Sequence, residues 1–598
     1  MNKLLLALCL LPAFASAQTA PVASPPPQAT SSNPADAAFR SIYEAEWTWR
    51  MAQGSGGDED SDNSTIANAR LPDVSPQAQA RRLAYLDDVL KRLDRVDVAA
   101  LSPAEAVNFA VYRPQIEHKA ASIRFRDYEM PFNSDSSFWS NLDFMAGAEL
   151  RDAAAYRAYA ARLRDVPRYF DQQIMNMRAG LARGFSVPQA VLAGRDGSIA
   201  MTAELKDPEQ SSLWAPYKQM PSTIPAAEQD ALRAEGRAAI REAVIPAFGK
   251  LLPFFRNEYM PKARQTLAAE AMPDGVQWYR EQIRAYTTLD LSPDEIHAIG
   301  LKEVASIHAE MDAIIDQVGF TGQSPQTRFA DFLQFLRTDP QFYAKTPQEL
   351  LNEAAWISKR VDGQVGRIIG TLPRGRFTIV PVPASIAPFW TAGRGGADTY
   401  FVNTYDLPSR PLYNLPALTL HESVPGHSLQ QQLVREQGAL PGFRKEYISA
   451  YGEGWGLYSE WLGKEMGIYQ TPYENFGRLT YAMWRACRLV IDTGIHHMGW
   501  TRAQAIAYLK DNTALSEHEV ETEVDRYISW PGQALSYKLG ELTILRLRRE
   551  AEAALGAKFD ERAFHDVILS QGSVPLPVLE SQVQAWVASV QAAPPAAP

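Results

Sequence analysis

Cysteine is almost absent from this sequence: Cys9 and Cys487 are the only two in the chain. Cys9 falls in the apolar run 4–14, which follows Lys3 and leads into Ala15-Ser16-Ala17 with small residues in A-x-A spacing. That is the pattern of a secretory signal peptide over residues 1–17, cut after Ala17, and it implies a periplasmic or secreted protein. Once the signal is removed Cys487 stands alone, so an intrachain disulfide is excluded and stability has to come from core burial. Leu8 stands before Cys9 where a lipid-attachment site wants a small residue, which argues against a lipoprotein.

Long hydrophobic runs are missing as well. The run 4–14 is too short to span a bilayer as a helix, and no other stretch approaches the roughly 20 apolar residues that spanning needs. The mature protein is therefore expected to be soluble. A Lys/Arg block with interleaved aromatics is also lacking, and 69 acidic residues against 59 basic ones leave a net charge of −10, so nucleic acid is not an expected partner. No G-x-S-x-G nucleophile elbow occurs, which removes the main signal for a serine hydrolase.

What is present is mostly helical. The segments 18–36 and 591–598 are rich in Pro, Ala and small polar residues and read as flexible ends. The acidic tract 54–64 reads as a solvated loop, without the spacing of an EF-hand calcium site. Residues 37–590, in a chain with 46% hydrophobic content, are long enough to bury a sizeable core in one or two lobes. Leu83, Leu86, Leu90 and Leu93 recur at three- and four-residue steps and share a helix face. Ser102-Pro103, Ser292-Pro293 and Thr346-Pro347, each followed by Glu105, Glu295 or Glu349, predict capped helix starts in which the acid reaches back to the cap. The exceptions are two β-branched or aromatic runs, 376–382 and 399–403, separated by a loop with Gly393, Gly395 and Gly396. They predict a small sheet with Pro381 on an edge strand. Such an edge either binds a peptide by strand addition or is a plain hairpin packed on helices.

The chemistry concentrates just downstream. A zinc peptidase needs neutral imidazoles and a carboxylate to hold the cation, an open position, and a base for the attacking water. The segment 421–427 (HESVPGH) supplies His421 and His427 as ligands and Glu422 as base, with Asn414 and Pro416 marking a helix start upstream. Zinc-peptidase histidines usually sit at i and i+4 on one helix face; here the separation is six. On a regular helix the second ring would point about 120° away from the first. Pro425 and Gly426 allow a kink or bulge that returns His427 to the metal. The alternative is that His421 ends one helix, His427 begins the next, and neither sees a metal. A third ligand comes from 451–466, where Glu453 and Glu460 are seven residues apart and share a face among Trp455, Leu457, Tyr458, Trp461 and Leu462. Buried acids need a partner, so Glu453 is read as ligand and Glu460 as its support. Gly454 and Gly456 in this helix suggest close approach of another backbone.

The motifs HESVPGH, EGWGLYSE (453–460), 485–500 and 526–540 together resemble the bacterial family known as domain of unknown function 885. That family in turn resembles the helical gluzincin peptidases, among them thimet oligopeptidase, carboxypeptidase Taq and angiotensin-converting enzyme, which carry the shorter histidine spacing. The resemblance implies a mainly α protein, with a large helical gluzincin-like body, a deep channel, and a small sheet beside the metal-binding helix. It implies zinc held by His421, His427 and Glu453, Glu422 as general base, Glu460 in support, and short or unstructured peptides as substrates. An oligopeptidase, dipeptidase or carboxypeptidase fits these expectations. The competing class is a periplasmic metal-binding or scaffold protein without turnover, to which Glu422 would be superfluous.

Weaker candidates complete the site. The oxyanion needs a donor, and Tyr537 or Tyr527 is a candidate, since related peptidases use a tyrosine in this region. His496 or His497 is a candidate to bind substrate or oxyanion, and Arg485, Arg488 or Arg526 to fork onto a peptide carboxylate. His297 and His308 share a helix face without an evident third ligand.

Overall fold

The computed structural model describes residues 33–53 and 69–593 apart from 135, 385 and 439. The signal peptide, nearly all of the N-terminal linker and the acidic tract lie outside these residues. Within them the architecture is mainly α. One hydrophobic core runs from Phe39 on the first described helix, Pro34–Ala52, to Val583 on the last, Leu576–Ala592. That last helix extends to residue 592, past the expected start of the flexible tail.

The leucine stripe lies on helix Pro76–Leu93, with Leu86 and Leu93 buried and Leu83 and Leu90 packed against the core. All three predicted helix starts are capped by the expected hydroxyl: Ser102, Ser292 and Thr346 accept from the backbone N–H groups of Glu105, Glu295 and Glu349. Only Glu295 also reaches back to its cap, at 2.8 Å. Glu105 is drawn instead to Arg40, and Glu349 accepts from Lys345 N. A competing cation or a nearer amide therefore overrides the reciprocal cap.

The centre of the molecule is helix Pro472–His496, buried on every side from Phe476 onwards although it carries Arg478, Arg485, Arg488 and Asp492. It packs against Pro293–Gln317, while Ser449–Glu465 packs against Leu415–Glu422 and Ser536–Leu555. The last of these crossings is backbone to backbone. A Cβ on Gly454 would lie 2.6 Å from Gly540 Cα, so glycine is required there, as the sequence suggests.

The small sheet has three strands, β1 (Thr378–Pro381), β2 (Gly393–Gly395) and β3 (Thr399–Val402), in the order β1-β3-β2. β1 runs parallel to β3, so the two predicted strands do not form a hairpin, and the glycine segment expected as a loop is itself the antiparallel edge strand. Pro381 is on an edge strand as expected, since its missing N–H would break a central ladder.

Candidate metal centre

Helix Leu415–Glu422 opens where the sequence places it, with Asn414 as the residue before its first turn and Pro416 within that turn. All eight of its residues are buried, because it threads between the sheet and helix Ser449–Glu465. It stops at Glu422, and a new helix, His427–Glu436, begins at the second histidine. The four residues between form a closed turn in which the Val424–Pro425 peptide is cis. Gly426 N donates to Leu420 O at 3.1 Å, Ser428 N to Ser423 O at 3.0 Å, and Trp455 Nε1 to Pro425 O at 2.7 Å. A Cβ on Gly426 would fall 1.9 Å from His421 O, so only glycine lets the chain return this closely. The histidines therefore do sit at the end of one helix and the start of the next, yet their ring centroids are only 4.8 Å apart.

Glu453 meets them from helix Ser449–Glu465. Its Oε2 lies 3.4 Å from His421 Nε2 and 3.4 Å from His427 Nε2. Among the described residues these three form the group able to hold a metal, with one ligand atom from each and all such atoms within 4.8 Å of one another. The distance of 3.4 Å is long for a hydrogen bond between an imidazole and a carboxylate, whose usual range is about 2.7–3.2 Å. It matches the edge of a tetrahedron of N and O ligands around zinc: with metal–ligand bonds of about 2.0–2.1 Å, neighbouring ligand atoms are about 3.3–3.4 Å apart. The donor set of two imidazoles and a carboxylate suits zinc, and the two separations from Glu453 match such a site.

The surrounding groups hold this arrangement. His421 Nδ1 is 2.8 Å from Glu460 Oε1, the carboxylate–histidine pairing that orients the other ring nitrogen towards a metal. Arg485, buried against the rings of Tyr481 and Trp484, places Nη2 3.4 Å from the same Glu460 oxygen. Tyr447 donates its hydroxyl to Glu453 Oε1 at 3.0 Å, leaving Oε2 directed at the histidines. His427 Nδ1, by contrast, is buried without a hydrogen-bond partner.

Electrostatics follow from three carboxylates around two imidazoles. Burial alone would pull the His421 pKa down, but hydrogen bonds to Glu453 and Glu460 and the charge of Glu422 outweigh it and push it up to about 10. Burial alone would raise Glu453, and the two imidazoles more than cancel that, holding its carboxyl well below the ordinary range. The cavity thus carries a negative field of the kind that a divalent cation neutralises.

Glu422 follows His421 directly and is 8% exposed. Its Oε2 accepts the Gly395 N–H at 2.5 Å, which leaves the other carboxylate oxygen for a proton. The amide is available because of the strand alternation. Hydrogen bonds from Gly396 N to Thr399 O and from Asn403 N to Ala392 O set the ladder, so the backbone groups of Gly393 and Gly395 point away from β3.

Gly456 meets the site from below. A Cβ there would lie 2.8 Å from His421 Cε1, so the close neighbour is an imidazole and not the backbone expected from the sequence. Gly456→Ala is expected to displace the ring and weaken zinc binding by about 10–100-fold, the usual cost of disturbing a ligand's support. Competition titration with a chromophoric chelator measures it, and unchanged affinity would mean that the ring has room to yield.

Tyr537 joins the cluster: its ring stacks on His421 at 6.4 Å between centroids. Its hydroxyl oxygen accepts from Arg526 Nη2 at 3.2 Å, so its own proton remains available to donate. The structure does not bring in the other two candidates. His496 accepts from Ala269 N and sits 2.8 Å from Tyr527 O, and burial holds its pKa down at about 3, so it is a neutral structural histidine. The Tyr527 hydroxyl is engaged by Trp484 Nε1 and Arg488 Nε behind Tyr537, and burial raises its pKa well above the ordinary value. His497 pairs with Glu270, His297 with Thr493, and His308 with Asp312. Sequence reasoning missed Tyr447 and the Gly395 amide; the glycine-rich segment 393–396 was the only signal for the amide, and Tyr447 had none.

Comparison with known proteins agrees with this architecture. The model of a family described as "Bacterial protein of unknown function (DUF885)" matches residues 51–583. The chain belongs to this family. Its fold is similar to that of a solved protein from Colwellia psychrerythraea described as a putative lipoprotein, with 26% identity and a TM-score of 0.82 over 93% of this chain and 99% of that one. A second, described as a putative lipoprotein of unknown function from Shewanella oneidensis, shares the fold at 18% identity, with a TM-score of 0.66 over 92% of this chain and 98% of that one. No curated protein matches. Among the described residues no helix is long and apolar enough to cross a membrane.

Proposed function

We propose that this member of the DUF885 family is an exported zinc-dependent peptidase that hydrolyses short or unstructured peptides. The observation that carries the reading is the 3.4 Å spacing of Glu453 Oε2 from both His421 Nε2 and His427 Nε2, with Glu422 adjacent. His421, His427 and Glu453 would hold the zinc, which when bound would supply Lewis acidity for the attacking water and the substrate carbonyl. Glu422 takes the proton of the attacking water on its free oxygen and delivers it to the leaving amine. Tyr537 donates its hydroxyl proton to the oxyanion as charge develops there. An extended peptide pairs with the outward backbone groups of Gly393 on β2, beside the Gly395 N–H that Glu422 holds, and is kept in line with Glu422. Export is supported by the sequence of residues 1–17, and the similar Colwellia psychrerythraea protein is itself described as a putative lipoprotein.

Amine release from a mixed peptide library, with and without a chelator, tests this reading. Release that stops on chelation and returns with zinc is expected; zinc-loaded protein inert towards every peptide would leave a binding or scaffold role. Tyr537→Phe is expected to lower kcat by about 10²–10³-fold with a smaller change in KM, as loss of a single oxyanion donor does. Steady-state kinetics checks the split, and unchanged kcat would make Tyr537 a packing residue.

A further inference from the structure

A carboxylate can meet a metal with one oxygen or with both, and for Glu453 the difference decides whether the site can work. Two imidazoles and one carboxylate oxygen leave an open position on a four-coordinate zinc, whereas a second oxygen from Glu453 would fill it. The structure divides the two oxygens between different partners. Oε2 lies 3.4 Å from both imidazole Nε2 atoms, while Oε1 accepts the Tyr447 hydroxyl at 3.0 Å. An ionised carboxylate has no proton to give, so the hydroxyl is the donor.

Tyr447 is brought there by contacts that do not involve the metal ligands. The preceding Glu446 is paired with Arg50, and with Lys119 at 3.3 Å. The following Ile448 donates its backbone N–H to Ser573 Oγ at 2.9 Å, and Ser449 Oγ is 2.8 Å from Ser536 Oγ. Gly452, one residue before Glu453, makes the room: a Cβ at that position would overlap the Tyr447 ring and its hydroxyl oxygen. The hydroxyl thus reaches Glu453 from an anchored segment and through a gap that a side chain would close.

We propose that Tyr447 is a positioning residue that confines Glu453 to coordination through one oxygen and so keeps the position for the attacking water open. The inference rests on the zinc reading and goes beyond it, since it concerns how many oxygens Glu453 offers and not whether a metal binds. An ordinary supporting hydrogen bond strengthens a ligand, and its loss lowers metal affinity. A bond that withholds an oxygen acts in the opposite direction. Its loss frees Oε1, so affinity is kept or rises while the open position closes. The two roles therefore differ in the sign of their effect on affinity.

The test uses cobalt(II), which occupies zinc sites and whose visible absorption weakens as its coordination number rises. Parent, Tyr447→Phe and Gly452→Ala proteins are stripped of metal and titrated with cobalt(II), and their zinc affinity is measured by competition with a chromophoric chelator. The parent is expected to give the intense band of a four-coordinate ion. Tyr447→Phe should give a weaker band, with zinc affinity equal to the parent's or greater, and with kcat on a defined peptide lowered by about 10–100-fold. Gly452→Ala keeps the hydroxyl but displaces it, and should show the same weakened band. An unchanged band in Tyr447→Phe, or zinc affinity that falls in that variant, overturns the proposal and leaves an ordinary supporting bond. A parent that gives the intense band and cleaves no peptide would sink the peptidase reading and leave this one standing. A parent that takes up neither cobalt nor zinc would sink the zinc reading and this proposal with it.

Discussion

Glu422→Gln is expected to retain its zinc and to lose peptide hydrolysis by roughly 10²–10⁴-fold in kcat, the range a positioned general base contributes. The amide keeps the size of the carboxylate and can still meet the Gly395 N–H, now through its carbonyl oxygen, so the turn around the site is preserved. What it cannot do is accept the proton of the attacking water. Zinc content by elemental analysis and kcat on one defined peptide separate the two effects. A variant that turns over at the parent rate would remove Glu422 from the chemistry, and one that loses its metal would show that this carboxylate is needed to assemble the site.

Glu453→Ala is expected to reduce zinc affinity by more than about 100-fold, because loss of a mere supporting partner already costs about 10–100-fold. The residue also balances the histidines: it lies 3.4 Å from each imidazole, and its removal leaves two rings facing each other at 4.8 Å with only Glu460 in support. Glu460→Gln should sit between the two, within the 10–100-fold range, since a neutral amide orients His421 Nδ1–H without the charge. Full metal occupancy in Glu453→Ala after dialysis would place the third ligand elsewhere.

That His421, His427, Glu453 and Glu460 come together was legible because each member carries a local constraint. His421 and His427 flank a proline–glycine pair, and Glu453 and Glu460 sit two turns apart in a stretch too apolar to be a surface. The caps at Ser102, Ser292 and Thr346 were legible for the same reason, since a hydroxyl before proline speaks only to its own first turn. What depended on distant partners was not. Whether Glu105 closes its cap depends on Arg40, 65 residues away. The turn between the histidines was foreseen as an irregularity, but its form depends on Trp455 reaching Pro425 O. The third strand was missed because Gly393–Gly395 has no side-chain signature, and its role is carried by backbone groups. His496 looked functional because it lies in a motif with several polar residues, and only its enclosure by Ala269 and the Tyr527 carbonyl reveals a structural histidine. Tyr447 has no periodic relation to Glu453, and only the fold brings its hydroxyl to that carboxylate.

The measurement that tests the account most directly is an anomalous difference map, collected across the zinc absorption edge from crystals grown with equimolar zinc. The account requires one strong peak within bonding distance of His421 Nε2, His427 Nε2 and Glu453 Oε2. Density elsewhere, or none at that point in protein shown to be folded, would contradict it.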